Sequence, residues 1–155
     1  MSQPTRTVRD LVREALRLLL DRDMAGFAGL WAADGVIEFP FAAPGSPRRL
    51  DGRAAVREYL RHYNDLVLPR ALASCTVHDT ADPAVAVVEF EVDGVVTATG
   101  LPYRMGYVAV VTARDGEIAR YRDYWSPAAA AEILGGPAPL TAPLTGAAAG
   151  GETGA

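Results

Sequence analysis

The chain contains no lysine. All 15 of its basic residues are arginine, which excludes a lysine Schiff base as a route to chemistry. Cysteine is almost as scarce. The single Cys75, in "LASCTVH", cannot form a disulfide within the chain and suits a reducing cytoplasm, the expected location. Its simplest reading is a small apolar residue buried in a strand. Histidine occurs twice, as His62 and His78, too far apart to suggest a metal site. No metal and no cofactor are expected. No basic cluster is present and the net charge is −4, so nucleic acid and anionic membrane are poor partners. No apolar run approaches the ~18 residues needed to span a bilayer. The opening "MSQPTRTVRD" lacks the apolar stretch of a secretory signal, so none is expected. Glycine-rich phosphate loops are also missing, and neither histidine has a convincing serine or cysteine partner.

What is present fits one domain, about residues 1–136, followed by a low-complexity tail, 137–155, with few large apolar groups. Val8, Leu11, Val12, Ala15, Leu16 and Leu19 recur at helical spacing, with Thr5 as the expected cap. A second helix is expected over "DMAGFAGLWA", carrying Phe27 and Trp31 on one stripe, then a strand over "DGVIEFPF" that includes Phe39. "DGRAAVREYLRHYNDL" reads as a third helix capped by Asp51, with Val56, Tyr59, Leu60 and Tyr63 on its apolar side. Beyond Pro69 the pattern turns to strands: 71–78, 84–92, about 97–114, and 118–125. The turns between them are "DTADP", "VDG" and "RDGE". "PAAAAEIL" reads as a short last helix stopping at Gly135-Gly136. This order predicts an α+β fold: a curved antiparallel sheet, helices on its concave face, and a cone-shaped pocket between the layers.

Alternation along the last strand places Ala119, Tyr121, Asp123 and Trp125 on one face and Ile118, Arg120, Arg122 and Tyr124 on the other. One carboxylate between large aromatics on a buried face is the sharpest chemical signal in the chain. Partial desolvation there would raise its pKa toward the general acid/base range. The bland alternative is an ion pair with an arginine. Glu89 shares a strand face with Val85, Val87 and Glu91. If that face is concave, Glu89 lies in the pocket and couples to Asp123; if convex, it is solvated or at an interface. Tyr103, Met105 and Tyr107 share a face of the fourth strand and fit either a wall for a flat apolar ligand or plain core. Tyr107 could donate a hydrogen bond to a developing enolate.

"TGLPYRMGYVAVV", "RDGEI" and "YRDYWSP", in that order, resemble the SnoaL-like polyketide cyclase branch of the nuclear transport factor 2-like superfamily over about residues 5–135. The resemblance implies the cone-shaped fold, a hydrophobic small-molecule substrate and a homodimer paired through the outer sheet face. It matches Asp123 to the functional carboxylate of the last strand. Tyr59 falls close to a pocket histidine of phenazine-pathway relatives, and "VEFEVDG" lacks the Arg-x-Asp pair of the epoxide hydrolases. The expected function is a cofactor-independent cyclase or isomerase acting on a polyketide-like or aromatic intermediate. Asp123, Glu89 and Tyr107 are the catalytic candidates. Tyr59, Tyr63, Tyr103, Met105, Trp125, Trp31 and Phe39 are the substrate-binding ones. Epoxide opening by Asp123 and a non-catalytic binding module are the alternatives.

Overall fold

Thr7, two residues beyond the expected cap, starts the first helix. Its hydroxyl accepts from the Asp10 backbone N–H while the Asp10 carboxylate accepts from that of Thr7, a reciprocal capping box. In this computed structural model, which describes residues 4–134, helix α1 runs Val8–Leu20 and buries Val8, Leu11, Val12, Ala15, Leu18 and Leu19. Leu16 is only half-buried. The expected tail and the Gly135-Gly136 stop lie outside the described residues.

Helix α2 is one short turn-and-a-half, Met24–Ala28, capped by Asp23 and closed by Gly29. Trp31 therefore does not lie on a helix, as the spacing suggested, but opens strand β1, Trp31–Glu38. A short strand, β2 (Arg49–Asp51), has no counterpart in the sequence reading and pairs antiparallel with β1. The third expected helix divides into α3, Arg53–Leu60, and α4, Tyr63–Leu66, with the break at Arg61-His62. The cap of α3 is Gly52, not Asp51.

Strands β3 (Val67–Asp79), β4 (Val85–Val96), β5 (Pro102–Arg114) and β6 (Glu117–Tyr124) complete one sheet in the order β2-β1-β6-β5-β4-β3. Helix α5 spans Pro127–Ile133. The fold is α+β, with one departure from the antiparallel expectation: β1 runs parallel to β6. A hairpin forces antiparallel pairing, but most of the chain separates these two strands, so either direction is open to them.

Two details of the sheet decide which side chains face inward. "VDG" is not a turn: β4 continues through it to Val96. Gly94 sits there because β3 passes so close that a Cβ would lie 2.3 Å from the Leu68 carbonyl oxygen. The "RDGE" turn is as expected, with Asp115 and Gly116 both at positive φ, 54° and 77°. Just before it, a register shift after Thr112 pairs Ala113 with Ile118. This bulge turns Ile118 inward, where it is fully buried, against the strict alternation read from the sequence. Past the bulge the expected alternation holds, with Tyr121 buried and Arg120 exposed.

Candidate active site

Asp123 stands on the inner side of β6, opposite Ala109 of β5. The small neighbour leaves space in front of the carboxylate, and a cavity opens there between sheet and helices. The volume open to the centre of a water-sized sphere is ≈ 90 Å³. The cavity therefore suits a single ring or a short branched chain.

Six secondary-structure elements bring aromatic rings to it. Helix α2 supplies Phe27; α3 and α4 supply Tyr59 and Tyr63, the latter delivered by the break between them. The sheet supplies Phe90 from β4, Tyr103 and Tyr107 from β5, and Tyr121 from β6. Phe39, just after β1, and Trp125, just after β6, complete the ring set. Nine of the twelve aromatic residues of the chain thus line one small cavity. That concentration makes the cavity the candidate binding site of the fold. Phe39 packs on Tyr59 with centroids 5.2 Å apart, and Phe90 stacks on Tyr107 at 5.1 Å. Leu19, Met24, Ile37, Met105 and Ile133 fill the remaining wall.

The electrostatics are those of a desolvated acid. Burial pushes the Asp123 carboxyl from 3.8 up to about 7. Among the described residues no arginine or histidine lines the cavity, so the ion pair weighed as an alternative role for Asp123 is not made there. The pKa values of the Tyr59, Tyr103, Tyr107 and Tyr121 phenols are all driven well above the ordinary tyrosine value, first by burial. Tyr63 is pushed up to about 12 by burial, partly offset by the Tyr107 hydroxyl oriented toward it. All five remain O–H donors at neutral pH. Two of them, Tyr59 and Tyr103, have buried hydroxyls with no hydrogen-bond partner among the described residues. An unpartnered buried hydroxyl is costly, which makes these two the candidate donors of the cavity.

Of the sequence candidates, the structure brings Asp123, Tyr107, Tyr59, Tyr63, Tyr103, Met105, Trp125 and Phe39 to this cavity. Two lie elsewhere. Glu89 is on the outer face of β4, exposed, and its carboxylate meets His78 Nε2 at 2.6 Å. The inward positions of β4 are the even-numbered ones, Ala86, Val88, Phe90 and Val92, so Glu89 cannot couple to Asp123. Trp31 is completely buried behind the wall, its ring 5.3 Å from that of Tyr121, with its indole N–H donating to the Val36 carbonyl at 3.3 Å. It shapes the site from the core without reaching a ligand. His62 is exposed and pairs with Asp65. Cys75, expected in the core, is exposed on edge strand β3.

The sequence reading missed Phe90 and the contribution of α5. Phe90 was legible in principle, since Val88, Phe90 and Val92 form one alternating apolar set. The placement of Ala130 and Ile133 over the cavity was not, because it depends on how the chain turns after Trp125. Phe90, Tyr107 and Trp125 also line a shallower cleft that includes Glu89, Val108 and Tyr124. They therefore form the wall between the cavity and the outer side.

Residues 12–121 match the SnoaL-like domain family. The Bacillus subtilis protein YesE is 40% identical over 127 residues, 82% of this chain and 86% of its own. A PhzA/B-like protein of Pseudomonas aeruginosa is 37% identical over 128 residues, 83% of this chain and 90% of its own. A solved Bacillus subtilis structure named as a proposed isomerase superposes with a TM-score of 0.78 at 40% identity, covering 83% of this chain and 93% of that one. With most of its length matched by the family and by these relatives, the chain belongs to the SnoaL-like domain family.

Proposed function

We propose that this protein is an isomerase or cyclase that moves a proton on a small, largely apolar carbonyl compound, with Asp123 as the acid/base. The observation that carries this reading is the Asp123 carboxylate itself: half-buried, uncompensated by any cation among the described residues, and facing an aromatic cavity. A carboxyl group held near pH 7 both accepts and returns a proton under physiological conditions, which a surface aspartate does not. The isomerase named among its relatives at 40% identity supports the same class.

In this reading the ionised Asp123 removes a proton from a carbon beside a carbonyl, and the electron pair moves onto the carbonyl oxygen as an enolate. The unpartnered hydroxyls of Tyr59 and Tyr103 are the available donors to that oxygen. Tyr107, whose hydroxyl is turned toward Tyr63, supports the phenol cluster instead of meeting the oxygen first. The neutral Asp123 then returns its proton to a second carbon, giving isomerisation. Alternatively the enolate carbon attacks a second carbonyl of the same molecule, and Asp123 protonates the new alkoxide, giving a ring. A polyketide-like or monocyclic aromatic precursor fits the size and lining of the cavity. Glu89 takes no part.

The test is deuterium exchange from heavy water into 2-cyclohexenone or a comparable small enolisable ketone, followed by NMR. Wild-type protein should accelerate exchange above buffer, and a folded Asp123→Asn variant should lose ~10²-fold or more of that acceleration. Equal exchange by both proteins would end the assignment.

We also infer a homodimer paired through the outer sheet face. Phe41 and Val108 are exposed there, and Phe41 rests edge-on against Tyr124 at 5.2 Å. A second copy would cover them.

A further inference from the structure

We propose that the cavity binds a small organic cation, an alkylammonium group held between the aromatic walls and the Asp123 carboxylate. The inference rests on the reading of this cavity as the ligand site, with Asp123 facing the ligand, and not on the proton transfer.

The chemistry of the wall selects the charge of the occupant. Asp123 makes no hydrogen bond among the described residues, and no arginine or histidine among them lines the cavity. An ionised carboxylate in that half-buried position is a partly desolvated charge without compensation. A carboxylate or phosphate on the ligand would add a second negative charge beside it, so anionic substrates are disfavoured. A neutral ligand leaves the cost in place. A cation removes it.

The aromatic lining then selects the kind of cation. Tyr59, Tyr63, Tyr103, Tyr107, Tyr121 and Trp125 surround the space in front of Asp123, and their ring faces carry the negative side of the aromatic quadrupole. Such a box with one acid is the arrangement that recognises alkylated ammonium groups, whose charge is spread over methyls and weakly hydrated. A primary ammonium is a compact, strongly hydrated point charge and loses more on leaving water for this apolar wall. The ≈ 90 Å³ volume fits a trimethylammonium-sized head.

Binding should follow the ionisation of Asp123. The groups facing it are phenols from every side: Tyr59 on α3, Tyr63 on α4, Tyr107 on β5 and Tyr121 on β6, all held protonated. Helices α1, α2 and α5 and strand β4 present apolar Leu19, Phe27, Ile133 and Phe90. His62 and His78 are exposed and outside the cavity. Among the described residues Asp123, pushed to about 7, is therefore the group at this site that titrates in the neutral range.

The experiment is calorimetric titration of the full chain with choline and with 3,3-dimethyl-1-butanol, which has the same shape without the charge. Wild-type protein should prefer choline. Because only the ionised form binds it well, choline affinity should rise about 30-fold between roughly pH 5.5 and pH 8.5, while that of the alcohol stays flat. In Asp123→Asn the choline preference and its pH dependence should both vanish while the alcohol still binds, which reports an intact cavity. Equal affinity of wild type for the two probes would overturn the proposal. So would choline affinity independent of pH, or no saturable choline binding at millimolar concentration. The wild-type comparison stands even if the variant does not fold. Choline selectivity without deuterium exchange into a ketone would refute the proton-transfer reading alone; exchange without choline selectivity would refute this one alone.

Discussion

Replacing Asp123 by asparagine should make the protein more stable, by an amount set by pH. The folded carboxyl titrates at about 7 against an ordinary 3.8, because burial penalises its charge. Between those values the folded chain keeps a proton that the unfolded chain has released. Ionisation therefore counts against the folded state: the cost is absent below about pH 4, grows as pH rises, and is complete above about pH 7. Over about 3 pH units, at 1.36 kcal/mol each, the full cost is about 4 kcal/mol. Water entering the cavity solvates the carboxylate, so this is an upper figure. Asparagine has nearly the same shape and never ionises. Urea unfolding of the two proteins, followed by tryptophan fluorescence, should give a variant-minus-wild-type difference that increases by up to about 4 kcal/mol from pH 4 to pH 8.5. In melting temperature that is roughly 8–16 °C for a chain of this size. The surface ion pairs are common to both proteins and cancel. A difference that stays constant across this range, or that favours wild type as pH rises, would refute the placement of an uncompensated Asp123 inside the fold.

Removing both unpartnered hydroxyls with Tyr59→Phe and Tyr103→Phe should leave unfolding free energy unchanged or raised by about 1 kcal/mol, while ketone exchange falls by about 10²-fold. Loss of stability without loss of exchange would show that they are structural. Glu89→Gln should leave exchange unchanged and alter stability by less than about 1 kcal/mol, since its pairing with His78 is exposed; a large loss of exchange would return Glu89 to the site. Val108→Glu places a second acid directly opposite Glu89 on the outer face. It should weaken self-association at least about 10-fold in sedimentation equilibrium. A monomeric wild type at micromolar concentration would contradict the proposed dimer.

The inward-facing acid was readable from "YRDYW" because a strand alternates its side chains, and Tyr121 and Asp123 obey that rule beyond the bulge. Ile118 did not, since one extra residue in β6 just after the turn reverses facing, and nothing in local composition marks a bulge. The same ambiguity left Glu89 undecided. Its parity group was legible, but which side of the sheet the helices cover is a long-range fact. Gly94 shows the opposite failure. "VDG" has turn chemistry, yet here the glycine serves the close approach of Leu68 from the neighbouring strand. Trp31 was placed on a helix by its spacing from Phe27, and Gly29 ended that helix two residues earlier. The tyrosines of the cavity were readable one by one. Their convergence was not, because it depends on the α3–α4 break and on the pairing of β5 with both β4 and β6.

The account turns on the ionisation of one carboxyl group. Its most direct test is a ¹³C NMR titration of protein labelled at the aspartate side-chain carboxyls, with the Asp123 resonance assigned by its absence from Asp123→Asn. The account predicts one aspartate that stays protonated through pH 5 and titrates near 7, missing from the variant and shifted to lower pH by saturating choline. Titration of Asp123 near 4, unmoved by choline, would contradict it.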